Sequence, residues 1–297
     1  MQKKMLAIVG TVILTGCSIS QQDGALEHWK NYSSQQISSY HLDQKEALAV
    51  FYRQGNEVMS PDAVNVYVNG NYQASLLNNT YSAVPVCADR LLFTTSFSSN
   101  KKFGNRTQGI TQTLPVGDVA YFKVISGKNG SPELVAVDKA LAQQEVKSLP
   151  KVNQTLSRVT PACGAPVLQS VSLSAGALFP FNKSSYSSIL AEGKAQILSF
   201  AQDANKLDAA IVDKVVVSGY TDPVGSEKYN DKLSQSRAES VKQALLNNGI
   251  KYPVEAIGYG ERNLVVSDCA INYKGKKEIA ECNLPNRRVE ITVYGKK

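Results

Sequence analysis

One stretch decides the fold of the C-terminal half of this 297-residue chain. Residues 215–249 read VVVSGYTDPVGSEKYNDKLSQSRAESVKQALLNNG. The apolar residues within 211–220 predict a strand, and the spacing of apolar residues over 234–248 predicts a helix that ends at Gly249. A strand that leads into a helix in this way is typical of a domain in which helices pack on a sheet.

The flanking sequence continues this alternation on both sides. A helix is predicted over 187–207, and further strands are predicted over 254–259 and 289–294. From Val167 onward, the pattern therefore predicts an α/β domain over 167–297, with a mixed sheet of the βαβαββ type and helices packed on it. Together with the β-rich first half, this makes the chain an α+β multidomain protein.

Two charged side chains of the opening stretch are expected to lie close together. Asp222 follows the carboxyl end of the predicted strand, and Arg237 is expected in the first turn of the predicted helix. Open α/β sheets bind ligands at such strand ends, and the start of a helix offers free N–H groups to an anion. The pair is therefore a candidate binding site, with a structural salt bridge that holds no ligand as the alternative.

Four short blocks resemble a known family in their order and spacing. They are GYTD at 219–222, LSQSRA at 233–238, GYGE at 258–261 and NRRVE at 286–290. Together they resemble the OmpA-like peptidoglycan-binding domain that OmpA, Pal and MotB-type proteins share. The resemblance covers residues 168–297, a little under half of the chain.

The resemblance implies that Asp222 and Arg237 grip the diaminopimelate of a peptidoglycan stem peptide. The free end of diaminopimelate carries an ammonium and a carboxylate on one carbon. Arginine can bind that carboxylate through two hydrogen bonds, while aspartate accepts from the ammonium. Six further residues are implied at or near the pocket: Thr221, Asn230, Leu233, Arg287, Phe181 and Asn182.

Other residues of the four blocks are interpreted as structural. Tyr220 and Tyr259 are expected to pack, and Arg288 is expected to face outward as an ion-pair partner. Glu261 and Glu290 are expected to be solvated.

Residues 58–140 predict a separate β-rich module. Several short β-rich runs follow one another, and Asn69-Gly70 is the favoured two-residue hairpin turn. The pattern predicts a small β-sandwich that only loosely resembles PEGA-type surface modules. A short helix is predicted before it over 43–54, and a helical, proline-rich linker is predicted after it over 141–166.

The N-terminus predicts export and lipid attachment. Two lysines precede an apolar run that is too short to span a bilayer, which indicates a signal peptide over 1–16. The run ends in LTGC, which resembles the bacterial lipobox, so Cys17 is expected to carry acyl chains such as palmitate. An ordinary secretory signal with a chance cysteine is the alternative. Ser18 implies outer-membrane retention by the family's sorting rule, and 17–57 predict a lipidated tether that ends in the short helix.

The other four cysteines, Cys87, Cys163, Cys269 and Cys282, form an even set. In an oxidising periplasm they predict two disulfides; metal binding is the rival, but no CxxC or His–Cys spacing supports it. A Cys87–Cys163 bond would staple the linker to the β module. Cys269 and Cys282 lie in an insertion that resembles the one in OmpA itself, and a bond between them would close a loop near the binding face.

Composition narrows the class of function. The formal charge is +7, and the two histidines, His28 and His41, lie in the predicted tether. The sequence has no Gly-x-Ser-x-Gly elbow, so an enzyme fits poorly, and no catalytic residue, cofactor, metal or nucleic-acid partner is expected. The leading prediction is a periplasm-facing outer-membrane lipoprotein that binds peptidoglycan and tethers the outer membrane to the cell wall. The alternative is a wall-anchored accessory of an envelope machine, such as a secretion system, adhesin exporter or flagellar ring, whose β module docks a protein partner.

Overall fold

A computed structural model describes residues 37–55, 59–100, 106–127, 130–152, 158, 160–180, 182–266 and 269–297. The predictions for the signal peptide over 1–16, for Cys17, for Ser18, for His28 and for Phe181 lie outside these residues. Among the helices of the described ranges, none combines the length and the apolar character that crossing a membrane requires.

The N-terminal module is a sandwich of two four-stranded sheets. Its described strands are β1 (Glu46–Arg53), β2 (Val64–Val68), β3 (Asn71–Leu76), β4 (Thr80–Cys87), β5 (Arg90–Phe97), β6 (Ile110–Thr113), β7 (Val119–Ser126) and β8 (Pro132–Val137). One sheet has the order β4-β1-β7-β8 and the other has the order β3-β2-β5-β6. All neighbours are antiparallel except β1 and β7, which are parallel. The predicted β-sandwich is confirmed.

Three phenylalanines form the centre of the core between the two sheets. Phe51 and Phe122 come from one sheet and Phe93 from the other, and all three are fully buried. The ring centroids of Phe93 and Phe122 are 4.4 Å apart, and Phe51 stacks on Phe122 at 5.6 Å. Because the rings interdigitate across the gap, they hold the sheets face to face.

The predicted helix over 43–54 is wrong, because this segment forms β1. The strand lies between β4 and β7, and its residues from Ala47 to Arg53 are all buried. A strand that is buried on both faces loses the alternation of apolar and polar residues, so its apolar run cannot be distinguished from a buried helix by periodicity. The sandwich therefore includes β1 and begins before residue 58.

Helix α1 (Lys139–Val146) belongs to the sandwich and not to a linker. Its buried residues pack against Leu48 and Val50, which point to the outer face of the β1 sheet. The predicted linker over 141–166 is therefore wrong in its first part. An amphipathic helix in isolation has the same pattern whether it connects domains or covers a sheet, so only the fold decides between the two.

Glu145 on α1 is attached to the sandwich through two polar contacts. Its carboxylate accepts a 2.5 Å hydrogen bond from the Tyr52 hydroxyl and lies 3.1 Å from Lys123 Nζ. The Tyr52 hydrogen bond, aided by Lys123, holds the pKa of the Glu145 carboxyl below its ordinary value of 4.5.

We expect acid to weaken the attachment of α1. A carboxyl whose pKa is lowered by folding contributes stability above its unfolded pKa, and that contribution is lost as the pH falls through the folded pKa. Glu145→Gln should therefore cost about 1 kcal/mol of unfolding free energy near neutral pH and much less near pH ~3.5. Urea unfolding of both proteins at the two pH values measures this. An equal difference at both values would contradict the prediction.

The C-terminal domain is a four-stranded mixed sheet with helices on one face. Its strands are β9 (Val167–Ser174), β10 (Val212–Tyr220), β11 (Val254–Gly258) and β12 (Arg288–Gly295), in the order β11-β10-β12-β9. Its described helices are α2 (Ala175–Leu178), α3 (Ala191–Ala204), α4 (Glu227–Asn247), α5 (Cys269–Asn272) and α6 (Lys276–Cys282), with single 3₁₀ turns at Tyr186–Ser188 and Leu284–Asn286. β10 and β11 are parallel and the other pairs are antiparallel. The predicted α/β architecture is confirmed.

Helix α4 begins at Glu227, seven residues earlier than the predicted start at residue 234. Ser226 caps it, because its side chain accepts a hydrogen bond from Tyr229 N. The first two turns are polar, so no apolar stripe extends the helix in the sequence. Arg237 therefore lies about 15 Å from the helix start and not in the first turn, and the free N–H groups of that start are not beside it.

Two glycines let α4 rest directly on the sheet. A Cβ at Gly219 would lie 2.2 Å from the backbone oxygen of Ser234, and a Cβ at Gly258 would lie 2.4 Å from Gln235 N. Close-packed interiors leave no room for such contacts, so both positions require glycine. The close approach sets the distance between the end of β10 and the helix face that carries Arg237.

Both predicted disulfides are present. Cys87 bonds to Cys163, and Cys269 bonds to Cys282. The first bond holds the segment before β9 against the sandwich, where Val167 N also donates to the backbone oxygen of Ala88 at 2.7 Å. The pairing accounts for all four cysteines without a metal.

Arg90, at the start of β5, reaches the C-terminal sheet on the face opposite the helices. Its Nη1 donates to the Tyr220 hydroxyl at 2.6 Å and to the Glu290 carboxylate. Glu290 also accepts a 2.7 Å hydrogen bond from Arg288 Nε. The prediction that Glu290 is solvated is therefore wrong: it joins the two domains, and its partner Arg90 lies 200 residues earlier in the chain.

We expect Arg90→Ala to loosen the contact between the domains without unfolding either one, because Glu290 keeps Arg288 as its partner. The loss of a hydrogen bond to a charged group should raise hydrogen exchange at the amides of Val116 and Val167 about tenfold. Both amides donate across the domain boundary, to the backbone oxygens of Val167 and Ala88. Lys206→Ala, which removes an exposed cation from the C-terminal domain, is the control. Equal exchange in both variants would refute the prediction.

Candidate ligand-binding site of the C-terminal domain

Asp222 lies just after β10 and is held in place from two sides. Its Oδ1 accepts a 3.2 Å hydrogen bond from Val224 N, which fixes the carboxylate against its own loop. Its Oδ2 lies 3.5 Å from Arg287 Nε, and the Asp222 side chain is only 14% exposed. The carboxylate is therefore oriented and largely shielded from water.

Arg287 owes its position to the loop that the second disulfide closes. Its Nη2 donates to the backbone oxygen of Ala280 at 2.9 Å, and Ala280 lies on α6 between Cys269 and Cys282. The disulfide therefore acts on the site indirectly, through the arginine that faces Asp222.

Arg237 is buried on the α4 face, with 7% of its surface exposed. Its Nε donates to the backbone oxygen of Lys183 at 3.2 Å, and its guanidinium carbon lies 5.7 Å from the centre of the Phe179 ring. Burial lowers the pKa of Arg237, and the charge of Asp222 acts in the opposite direction. Among the described residues, none accepts a hydrogen bond from its two terminal nitrogens.

The two charges of the predicted pair do not close on each other. Within the described part of the chain, Asp222 forms its ion pair with Arg287 and not with Arg237. The alternative of an Asp222–Arg237 salt bridge is therefore wrong. Arg237 is therefore a buried charge with no carboxylate partner among the described residues, which is costly, and a ligand carboxylate would offset that cost.

Asn230 organises the loop around Asp222. It is 1% exposed, and its side-chain amide donates to the backbone oxygens of Asp222 and Val224 at 3.3 and 3.4 Å and to Glu261 Oε2 at 2.7 Å. The prediction that Glu261 is solvated is wrong, because this carboxylate holds Asn230. Asn230 is therefore a positioning residue, fixed between α4 and the loop after β11.

Thr221 has the environment of a residue that hydrogen-bonds to a ligand. It is 3% exposed, and its N–H donates to the backbone oxygen of Gly260 at 2.8 Å. Its hydroxyl has no partner among the described residues, although it lies next to Asp222 in the chain. A buried hydroxyl without a partner is costly unless it finds one in a ligand or in water.

The remaining predicted residues lie around the same helix. Asn182, in a left-handed conformation with φ 60°, accepts a hydrogen bond from the Tyr229 hydroxyl. Leu233 is partly exposed and lies on α4 between Asn230 and Arg237, which are three residues before and four residues after it.

Three residues of this neighbourhood were not predicted. Tyr229 binds Asn182, while Lys183 and Phe179 surround the Arg237 guanidinium. Tyr229 lies within the quoted stretch and could have been noticed. Lys183 acts through its backbone oxygen, which no side-chain pattern reveals.

The tyrosines behind the site pack as predicted. The rings of Tyr220 and Tyr259 stack with centroids 5.2 Å apart, and the Arg288 guanidinium carbon lies 3.8 Å from the centre of the Tyr220 ring. Arg288 is an ion-pair partner as predicted, although its partner Glu290 was not, and it is buried and does not face outward.

This arrangement agrees with the comparison against protein families. Residues 179–277 match the OmpA family. The C-terminal domain is an OmpA-family domain. The site residues Asp222 and Arg237 lie within the matched range, whereas Arg287 follows it.

Curated relatives match less than half of this chain. Outer membrane protein P5 of Haemophilus influenzae is 36% identical over 140 residues, which are 46% of this chain and 38% of that protein. Outer membrane protein A of Shimwellia blattae is 39% identical over 124 residues, which are 41% of this chain and 50% of that protein. The chain thus spans half or less of the length of these relatives.

Two of the solved structures that are similar to this chain are as follows. The periplasmic domain of Helicobacter pylori MotB is 22% identical, covers 45% of this chain and 83% of its own, and has a TM-score of 0.35. The cell wall anchor of the T6SS from Pseudomonas aeruginosa is 29% identical, covers 43% of this chain and 81% of its own, and has a TM-score of 0.33.

Proposed function

We propose that the protein binds peptidoglycan non-covalently through the diaminopimelate of its stem peptides and so tethers the outer membrane to the cell wall. The observation that carries the proposal is the pair Asp222 and Arg237, which are both shielded from water, opposite in charge and not bonded to each other. They lie in an OmpA-family domain whose relatives are named outer membrane proteins.

The chemistry of diaminopimelate fits this pair. The terminal nitrogens of Arg237 bind the carboxylate through two parallel hydrogen bonds, and the Asp222 carboxylate accepts from the ammonium. The Thr221 hydroxyl supplies a third contact at the same end of β10. All of these contacts bind and orient the ligand. The protein acts by binding and not by catalysis.

The outer-membrane end of the tether is the lipid on Cys17. Each methylene of an acyl chain that is buried in the membrane contributes about 0.8 kcal/mol of binding free energy. One chain binds only marginally, so stable anchoring requires more than one. The lipobox-like LTGC, the signal-peptide pattern before it and Ser18 after it support a lipoprotein that is retained in the outer membrane and faces the periplasm. Metabolic labelling with palmitate should mark the wild-type protein and leave Cys17→Ser unmarked.

Cosedimentation with purified sacculi tests the wall-binding end. The protein should sediment with sacculi whose stem peptides contain diaminopimelate. It should stay in the supernatant with sacculi that contain lysine at the same position, because lysine lacks the carboxylate that Arg237 would bind. Equal sedimentation with both would contradict recognition of diaminopimelate.

The sandwich favours a second candidate function, a wall-anchored accessory that docks an envelope protein. The relatives above match less than half of the chain. In addition to the OmpA-family domain, the chain contains the sandwich, which has its own phenylalanine core. A photo-crosslinker at Leu77, an exposed side chain of this module, should then capture one defined envelope complex in cells. If no discrete crosslinked product forms, the docking role of the sandwich is rejected, while the proposed tether function is unaffected.

A further inference from the structure

A cleft between the two domains lies next to the Asp222 site but is not part of it. It has a volume of about 480 Å³, with β6 of the sandwich on one side and β9 of the OmpA-family domain on the other. This volume is in the range of sites that bind small ligands. Glu290, which forms the ion pair with Arg90 between the domains, also lines the cleft.

The β9 side of the cleft is a strand edge that pairs with no further strand of the described residues. β9 is the last strand of its sheet, and beyond its end Ala175 N donates to the backbone oxygen of Arg287. In this antiparallel register, every second residue of β9 bonds to β12. Ser170, Ser172 and Ser174 therefore turn their backbone N–H and C=O groups away from it. All three line the cleft.

The β6 side has the same property. β6 is also the last strand of its sheet, and Leu114 N donates to the backbone oxygen of Asp89. By the same register argument, Thr111 and Thr113 turn their backbone groups away from β5, and both line the cleft. Two strand edges therefore line one space, where their outward backbone N–H and C=O groups can hydrogen-bond to a chain of amides.

Arg287 connects the cleft with the proposed diaminopimelate site. It lines the cleft, and its Nε lies 3.5 Å from Asp222 Oδ2. A ligand gripped at Asp222 can therefore continue past Arg287 into the cleft.

We propose that the cleft binds the main chain of the peptidoglycan stem peptide beyond the diaminopimelate that Asp222 and Arg237 hold. The inference rests on the proposed function and extends it. The stem peptide is a run of amides, which matches the outward N–H and C=O groups of Ser172 and Thr111. The sandwich then forms part of the wall-binding surface, because it provides one side of the peptide site.

Calorimetric titration of the full mature chain tests the proposal with two probes. One is free meso-diaminopimelate, and the other is the tetrapeptide L-Ala–γ-D-Glu–meso-diaminopimelate–D-Ala. Ser172→Pro and Thr111→Pro each remove one N–H that points away from the neighbouring strand. Neither change removes a bond within a sheet, so proline should be tolerated at both edge positions. Ser172→Ala is the matched control, since it removes the hydroxyl and keeps the N–H.

We expect the wild-type chain to bind the tetrapeptide about tenfold more tightly than meso-diaminopimelate. Each proline variant should lose most of this difference while it binds meso-diaminopimelate normally, and Ser172→Ala should keep the difference. Unchanged binding of meso-diaminopimelate also shows that a variant is folded. If a proline variant loses binding of meso-diaminopimelate, Ser172→Trp can replace it in the comparison of the two probes, because a tryptophan at this exposed position would fill the cleft.

Two results would overturn the cleft proposal alone. One is a wild-type chain that binds both probes equally, and the other is a set of proline or Ser172→Trp variants that keep the full tenfold difference in affinity between the probes. A wild-type chain that binds neither probe would overturn the proposed function together with the cleft proposal. If Asp222→Ala loses binding of both probes while the proline variants keep the tenfold difference in affinity, the proposed function is supported and the cleft proposal is rejected.

Discussion

Arg237→Ala and Asp222→Ala are each expected to abolish cosedimentation with diaminopimelate-containing sacculi. Each substitution removes the protein partner of a shielded, hydrogen-bonded charge pair with the ligand, which typically costs about 2–5 kcal/mol, or about 30-fold to several thousandfold in affinity. Arg237→Lys should also bind weakly, because the ammonium of lysine cannot form two parallel hydrogen bonds with a carboxylate. Titration of sacculi against each variant measures the loss.

Lys214→Ala is the matched control for Arg237→Ala. It removes the same charge at the opposite end of β10, where Lys214 forms an exposed 3.0 Å ion pair with Glu255. Exposed pairs of this kind contribute about 0–1 kcal/mol, so the control should fold and bind normally. Full binding by both Asp222→Ala and Arg237→Ala would reject the site.

The double variant Cys87→Ser/Cys163→Ser is expected to show the largest loss of stability. The bond joins cysteines that are 76 residues apart, and on the chain-entropy account such a bond contributes about 4.5 kcal/mol. Its removal also frees the segment before β9 from the sandwich. Guanidinium unfolding followed by circular dichroism measures the change in the free energy of unfolding.

Cys269→Ser/Cys282→Ser provides the comparison within the same chain. Its bond spans 13 residues and is worth about 3 kcal/mol on the same account. The Cys87–Cys163 variant should therefore lose more stability. The Cys269–Cys282 variant should lose affinity for sacculi as well, because α6 holds Arg287 through the backbone oxygen of Ala280. A reversed order of the two stability losses would contradict the chain-entropy account.

The sequence predicted the elements of the OmpA-family domain well, because each element has a local pattern. The strand that ends at Tyr220 and the body of α4 carry clear apolar periodicity. The local pattern failed where burial or polarity removed that periodicity. β1 is buried on both faces, and the first two turns of α4 are polar.

The candidate site was predicted as a set of residues but not as a geometry. Asp222 and Arg237 were expected to lie together, and the charge of Asp222 acts on the pKa of Arg237, but the structure pairs Asp222 with Arg287. Arg287 lies 65 residues after Asp222, on the far side of the disulfide loop. No spacing rule predicts which of several arginines reaches a given carboxylate.

The sequence by itself determined the α/β order of the second domain, the β-rich character of the first and the residue types that can bind a zwitterion. These features follow from periodicities and motifs within a few neighbouring residues. Only the tertiary structure decided that Arg90 docks the sandwich on Glu290, that the Thr221 hydroxyl finds no partner among the described residues, and that β6 and β9 line one cleft. These features depend on contacts between segments far apart in the chain, whose relative placement is set by packing and not by local pattern.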